Sequence, residues 1–243
     1  MKIIKLNAID STNSFLKEMV TDSVVENFTV VVAESQVNGR GQQDSVWLSE
    51  PFKNLTFSVY ISFKNFKIQH KKNLLFAVSL AVYGAVKEAT NLQISIKWPN
   101  DILSGNKKIC GILVENSIQK DKIRHSVVGI GLNVNQTNFS EAIYKVSSLK
   151  LLTQKNYDLD ALLKVIVSKL KERINQLENK QFEQLEGEYL KVLHKKNTPA
   201  MYKDSKGVLF MGFISGISKD GLLQIKLEDE TIREFGIKEV SFA

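Results

Sequence analysis

At 243 residues, with 43% apolar and 24% charged residues, the chain has the composition of a folded globular protein with room for one large domain and a small one. Its formal net charge is +7, but the surplus lies wholly before residue 196, and its four arginines (Arg40, Arg124, Arg173, Arg233) are a thin supply for bidentate reading of nucleic acid. The single cysteine, Cys110, excludes an internal disulfide and a cysteine-cluster metal site, and no apolar run approaches the roughly 18–20 residues of a membrane span, so a soluble chain in the reducing cytoplasm is expected.

In chain order, residues 28–34 and 55–63 are rich in β-branched and aromatic side chains, and Phe57, Val59, Ile61 and Phe63 alternate on one face, which predicts two strands. The polar, glycine-bearing stretch between them is too long for an ordinary hairpin and is read as a functional or a flexible loop. Leu74, Leu75, Val78, Ala81, Val82, Ala85 and Ala89 recur at helical spacing and predict a helix over about 73–90. Short strands follow at ISIKW, DIL, ICGILVE and VVGIGLNV, broken by Pro99 and by a turn at SGNK. From 158 to 195 the pattern is helical, with Leu159, Leu162, Leu163, Ile166, Val167, Leu170, Ile174 and Leu177 in one stripe and a second helix from about 181. Beyond Asn197 and Pro199, some 45 residues of short strands read as a separate small barrel.

Several short motifs bear chemistry. Gly39, Arg40 and Gly41 combine bare backbone with a planar cation suited to phosphate or carboxylate, although the same triplet serves as a surface turn. In Lys97–Trp98–Pro99–Asn100–Asp101 the proline presents the Asp101 carboxylate from a defined bend, where it can meet Mg²⁺ or a lysine; the alternative is a turn capped by Asn100 or Asp101 itself. Lys108 precedes Gly111 in an apolar strand, where a glycine weakens the sheet unless something approaches closely, and the apolar flanks are expected to desolvate the lysine. Cys110 reads as a small buried hydrophobe.

The run Gly129–Ile130–Gly131–Leu132–Asn133 fits neither the dinucleotide nor the Walker spacing; it reads equally as backbone lying under a flat ligand, with Asn133 reaching a nucleotide, or as a bulge with an Asn turn. Ser11, Thr12 and Asn13 read by themselves as a helix N-cap. The three histidines, His70, His125 and His194, are scattered and form neither a metal set nor a triad with serine and aspartate.

Taken together, the order STN, ESQxxGRGxxxxxW, KWPND, KxxGILVE, GIGxNVN resembles the biotin protein ligases, by motif over residues 7 to 135. The resemblance implies an α+β fold: a mixed β-sheet flanked by helices, similar to class II aminoacyl-tRNA synthetases and lipoate ligases (residues 1–195), followed by a small SH3-like β-barrel (196–243). It also implies ATP- and Mg²⁺-dependent conversion of biotin to biotinyl-5′-adenylate and transfer to a lysine of the biotin carboxyl carrier domain of acetyl-CoA carboxylase.

By position in the motifs, Ser11, Thr12 and Gln36, with Asn13 beside them, look like partners of the biotin ureido ring. Arg40, Gly41 and Gln42 look like the loop that closes over biotin and phosphates, and Lys108 like the lysine bridging the biotin carboxylate and the α-phosphate. Asp101 then becomes its carboxylate neighbour and a candidate metal ligand, Gly111 the floor under biotin, and Trp47 and Asn133 nucleotide contacts.

Two departures from the family pattern stand out. Many members continue the loop as GRGRxGRxW, whereas here Gln42, Gln43, Asp44, Ser45 and Val46 precede Trp47, so closure is expected to rely on hydrogen bonds from Gln42 and backbone amides. Only ten residues precede Ser11, so the DNA-binding module of bifunctional members, and with it a DNA partner, is expected to be absent; no membrane partner is expected, and monomer or homodimer is left open. The rival readings are an octanoyl transferase carrying its acyl group on Cys110 and an RNA-binding module, the latter weakened by a charge-neutral terminal segment.

Overall fold

The computed structural model describes residues 2–43, 45–140 and 145–243. Its first element is one that periodicity missed, strand β1 (Ile3–Ile9). As an edge strand with no fully buried residue it carries no alternating apolar signal. It leads into helix α1 (Thr12–Asp22), whose N-cap is Ser11, the hydroxyl accepting from the Ser14 amide at 3.4 Å; caps of this kind contribute about 1 kcal/mol.

Strands β2 (Val30–Gln36), β3 (Leu55–Lys67), β4 (Ile94–Lys97), β5 (Asp101–Ser104), β6 (Lys107–Gln119) and β7 (Lys122–Leu132) complete a seven-stranded sheet in the order β1-β2-β3-β7-β6-β5-β4. Only β1 and β2 pair in parallel, so the sheet is mixed.

The two faces of this sheet have different neighbours. One carries helix α2 (Lys71–Ala89), covered in turn by α4 (Leu159–Glu178) and α5 (Phe182–Lys191); a short α3 (Leu149–Thr153) precedes α4. Phe57, Val59, Ile61 and Phe63 all enter this core, as their alternation predicts. Helix α2 is buried more completely than its stripe suggests, with Phe76, Ala77 and Leu80 also enclosed, because it packs against α4 and α5 as well as against the sheet. The opposite face holds α1 over a small cluster, Leu16, Val31 and Val127. Beyond that cluster the face is lined by Thr56, Ser58, Gly129, Gly131 and Gly111, side chains too small to fill a core, which leaves an opening in the layer.

The last five strands, β8 (Ala200–Asp204), β9 (Leu209–Ile217), β10 (Leu223–Leu227), β11 (Ile232–Phe235) and β12 (Val240–Phe242), form a second, antiparallel sheet ordered β11-β10-β9-β8-β12. The expected closed barrel is not formed: β11 and β12 are the two edges and do not pair, and with four and three residues they are too short to close the sheet on themselves. The segment leading into this sheet bridges β4 at Ile96↔Leu193 and then β9 at Lys196↔Ile214, and the Trp98 indole donates to the Gly221 carbonyl at 3.2 Å. No helix among the described residues is long and apolar enough to cross a membrane.

Candidate active site

A cavity of about 450 Å³ lies over the small-residue part of the sheet, between the start of α1, the 39–47 loop, the β4–β5 turn and the C-terminal sheet. Of the residues singled out in the sequence, Ser11, Thr12, Asn13, Gln36, Arg40, Gly41, Gln42, Trp47, Asp101, Lys108 and Gly111 all line it. Asn133 does not. It is buried behind the wall, its amide donating to the Ser147 carbonyl at 3.1 Å, while its side-chain oxygen has no partner among the described residues.

At one side of the cavity the α1 N-terminus forms a closed hydrogen-bond set. The amide and hydroxyl of Thr12 donate to Gln36 Oε1 at 2.8 and 3.0 Å, so Gln36 at the end of β2 satisfies a helix-start donor that has no intrahelical acceptor. Ser58 on β3 contacts the Thr12 hydroxyl at 2.7 Å and also donates to Asn13 Oδ1. Asn13 turns its amide to Glu115 Oε2 at 2.8 Å. The Ser-Thr-Asn run is therefore both a helix cap and a wall of polar groups, and the two readings of it coincide.

Lys108 reaches the cavity through an irregularity in its strand. Regular alternation would place residue 108 on the same face as Cys110 and Ile112, which enter the core under α2. The β5–β6 register instead pairs Ile102 with Cys110 but Leu103 with Lys108, leaving Ile109 as an extra, inward residue. The bulge swings the lysine to the other face, where its ammonium meets Asp101 Oδ1 at 2.6 Å and stands 5.8 Å from the centre of the Trp47 ring. The expected desolvation holds only in part, since a third of the Lys108 side chain (33%) stays exposed.

Asp101 opens β5 directly after the Trp98–Pro99 turn, whose peptide is cis. Asn100 does not cap its own turn: its side chain donates to the Ile112 carbonyl at 2.6 Å and its carbonyl accepts from the Ile112 amide at 3.0 Å, so the bend is tied to β6.

The described residues of the 39–47 segment bond to one another. Arg40 bridges Val46, and amides of Gly41, Ser45 and Trp47 bond Ser45, Gln42 and Gly39 carbonyls at 2.6, 3.1 and 2.9 Å. Asp44 lies outside the described residues. Trp47 lies across Gly131 and its cross-strand partner Gly111; a Cβ on Gly131 would stand 2.3 Å from the indole, and one on Gly111 at 3.1 Å. What lies flat on the glycine floor in this structure is thus the chain's own indole, whose N–H is buried without a partner among the described residues, as is the Gln42 side-chain oxygen.

Sequence reasoning missed several participants. Glu115, the last residue of KxxGILVE, holds Arg40 at 2.7 Å and Lys17 at 2.9 Å. Burial pushes its carboxyl up, but hydrogen bonds from Lys17 and Asn13 and the charges of Arg40 and Lys17 outweigh that and hold it below the usual range. Its place in the motif was the available signal. Tyr202, Leu223, Lys238 and Phe242 from the C-terminal sheet also line the cavity, and the Lys238 ammonium donates to the Gln43 carbonyl on the loop; these positions carry no motif at all. Cys110 is wholly buried and lines neither cavity, and burial first of all, with Lys108 opposing and Asp101 adding, pushes its thiol up, so the geometry gives the acyl-carrier reading no support.

Comparison with known proteins agrees with this geometry. The sequence pattern of the Biotin/lipoate A/B protein ligase family matches residues 6–133. The chain is 35% identical over 134 residues to the bifunctional ligase/repressor BirA of Bacillus subtilis, an alignment covering 55% of this chain and 41% of that relative. It is 30% identical over 129 residues to the biotin–[acetyl-CoA-carboxylase] ligase of Mycobacterium tuberculosis, covering 52% and 47%. These matches span under half the length of the curated relatives. The biotin protein ligase of Aquifex aeolicus, solved in complex with biotin and ATP, superposes over 100% of this chain and 98% of its own, with a TM-score of 0.81 at 29% identity.

Proposed function

The chain belongs to the Biotin/lipoate A/B protein ligase family, and from that premise and the cavity we propose that it activates biotin with ATP to biotinyl-5′-adenylate and passes the biotinyl group to a lysine of a biotin carboxyl carrier domain, as in acetyl-CoA carboxylase. The observation that carries this reading is the meeting in one cavity of the Lys108–Asp101 pair, Arg40, and the polar set of Thr12, Asn13 and Gln36, which Ser58 braces from behind. A bicyclic ureido ring has two N–H donors and one carbonyl, which such a set can match; an apolar tail can lie on the glycine floor, and a carboxylate ends at the lysine. The names of the relatives, with biotin and ATP in the superposed structure, favour biotin over another acid.

Two anions must meet for the first step. Lys108 and Arg40 neutralise them and hold the biotin carboxylate in line with the α-phosphorus; a carboxylate oxygen forms the new P–O bond while the bond to pyrophosphate breaks. In the second step the amine of the carrier lysine attacks the acyl carbon of the mixed anhydride, the C–O bond to AMP breaks, and the amine loses its proton. No covalent nucleophile is required of the protein, in keeping with the inert Cys110.

In this reading Ser11, Thr12, Asn13 and Gln36 serve the ureido end, and Gly41, Gln42 and Arg40 close the loop. Trp47 and Asn133 are assigned to the nucleotide; for Trp47 this requires the indole to leave the glycine floor, and for Asn133 a change in the wall in front of it. Among the described residues no three metal-ligating side chains cluster, and Asp101 is the one carboxylate on the cavity wall. That donor set suits a Mg²⁺ that arrives with the triphosphate and takes its other ligands from phosphate oxygens and water; it would supply further charge neutralisation. We further assign residues 1–195 to a catalytic unit and 196–243 to an SH3-like unit that completes the cavity wall.

The test is incorporation of radiolabelled biotin into an apo carrier domain with Mg-ATP, with lipoate as the control acid. Lys108→Met should fold and lose about 10²–10³-fold in the adenylation rate, the usual cost of removing a group that stabilises developing charge. Undiminished turnover, or equal use of lipoate, overturns the assignment.

A further inference from the structure

We propose that Glu115 is a positioning residue that sets the orientation of Arg40 and ties the glycine loop to the polar end of the cavity. The inference rests on the reading of the site as a biotin and ATP site and adds to it a residue that touches neither substrate. Glu115 lies on β6 opposite Val127 of β7, and its side chain, 24% exposed, does not reach the main cavity; it lines a smaller space of about 390 Å³ beyond the loop. Arg40 lines both spaces. Arg40 therefore belongs to the wall between them, with Nη2 of its guanidinium bonded to Glu115 Oε2 at 2.7 Å and the fork carrying further N–H donors besides.

The same oxygen accepts the Asn13 amide at 2.8 Å. Asn13 is in turn fixed by Ser58, and Ser58 contacts the Thr12 hydroxyl. One carboxylate oxygen thus joins the cation that would meet the phosphates to the group that would meet the ureido ring. Lys17, nearly half exposed (48%), occupies the other oxygen at 2.9 Å and touches neither cavity. It supplies charge to Glu115 but no geometry to the site.

The arrangement answers a problem of the loop itself. An arginine on a surface loop has five donors and many rotamers, and an untethered one spends most of its attraction for phosphate on becoming ordered. Fixing one edge to a carboxylate that stays ionised orders the fork beforehand. A mere counter-ion would do the opposite: it would compete with phosphate for the guanidinium, and its removal would tighten nucleotide binding. The sign of the effect separates the two.

The experiment is steady-state kinetics of the full chain with biotin, Mg-ATP and apo carrier, for wild type, Glu115→Gln, Arg40→Met, the double variant and Lys17→Met, with thermal melts of each. Glu115→Gln is expected to raise KM for ATP about tenfold, the scale of one charge-assisted hydrogen bond, and to raise it no more than about twofold when Arg40 is already methionine. Lys17→Met should leave KM for ATP within about twofold of wild type. The inference is overturned by a lower KM in Glu115→Gln, by an equal effect in both Arg40 backgrounds, or by Lys17→Met matching Glu115→Gln. Should Glu115→Gln fail to fold, the Lys17→Met result and a Glu115→Asp variant with unaltered KM for ATP would each still refute it. Wild type without any biotin- and ATP-dependent turnover would instead sink the reading of the site.

Discussion

Lys108 and Cys110 stand two positions apart in one strand and have opposite fates. Their sequence neighbourhood is the same apolar run, and alternation alone would send both to the core. The extra Ile109 separates them: the cysteine stays under α2 at zero exposure, and the lysine joins Asp101 in the cavity. The motif thus identified the lysine, but only its register against β5 explains how a strand that is apolar on one face delivers a cation to the other. Cys110→Ser is expected to keep biotin transfer within about twofold of wild type while lowering stability by about 1–2 kcal/mol, because a hydroxyl enters an apolar site. Parallel melts and carrier-labelling assays check this; loss of transfer in a folded protein would restore a thiol to the chemistry.

At the scale of elements, the cavity exists because the face of the sheet away from α2 is lined by residues too small to fill it. Gly111 and Gly131 sit opposite each other on β6 and β7, and Thr56 faces Gly131 from β3. Such positions are costly in a strand unless something must lie close to the backbone, and the Trp47 indole does so. Gly131→Ala should expel the indole, since a methyl cannot share 2.3 Å with it, while Ala suits a strand about as well as or better than Gly. The expected outcome is a red-shifted tryptophan emission and biotin binding weakened by about tenfold or more, with folding retained; emission identical to wild type would show that the floor is not where Trp47 rests in solution. The sequence left Gly131 open between backbone under a flat group and a bulge, and read Gly111 as a point of close approach. Which flat group lies there depends on a loop closing back across the sheet, and no local pattern states that.

At the scale of the whole molecule, the C-terminal sheet is part of the site. Trp98 anchors it through Gly221, Lys72 reaches across to Glu186 and the Ser218 carbonyl, and Lys238 holds the loop at Gln43. With Gln42 and Ser45 where the GRGRxGRxW pattern has two further arginines, this chain gains a cation on that loop from the C-terminal segment. Lys238→Met should therefore loosen closure: adenylate should leak from the enzyme about tenfold faster, with little change in melting temperature, because an exposed single pair contributes roughly 0–1 kcal/mol to stability. Release of labelled adenylate in the absence of carrier measures it, and an unchanged release rate would remove the sheet from loop control.

What the sequence determined by itself follows from periodicity and from residue chemistry. The strands around Phe57–Phe63, the α2 and α4 stripes and the buried cysteine were legible because apolar alternation reports which face is buried, and the cavity-lining residues that were named came from the order of motifs that resembles the family. The tertiary structure alone decided the rest: the half-exposed edge strand β1, the bulge that turns Lys108, the open rather than closed terminal sheet, and the joining of Glu115 to Arg40 and of Lys238 to Gln43. Each of these depends on which distant segments come into register, and contacts made across 75 or 195 residues of chain leave no trace in the local pattern of either partner.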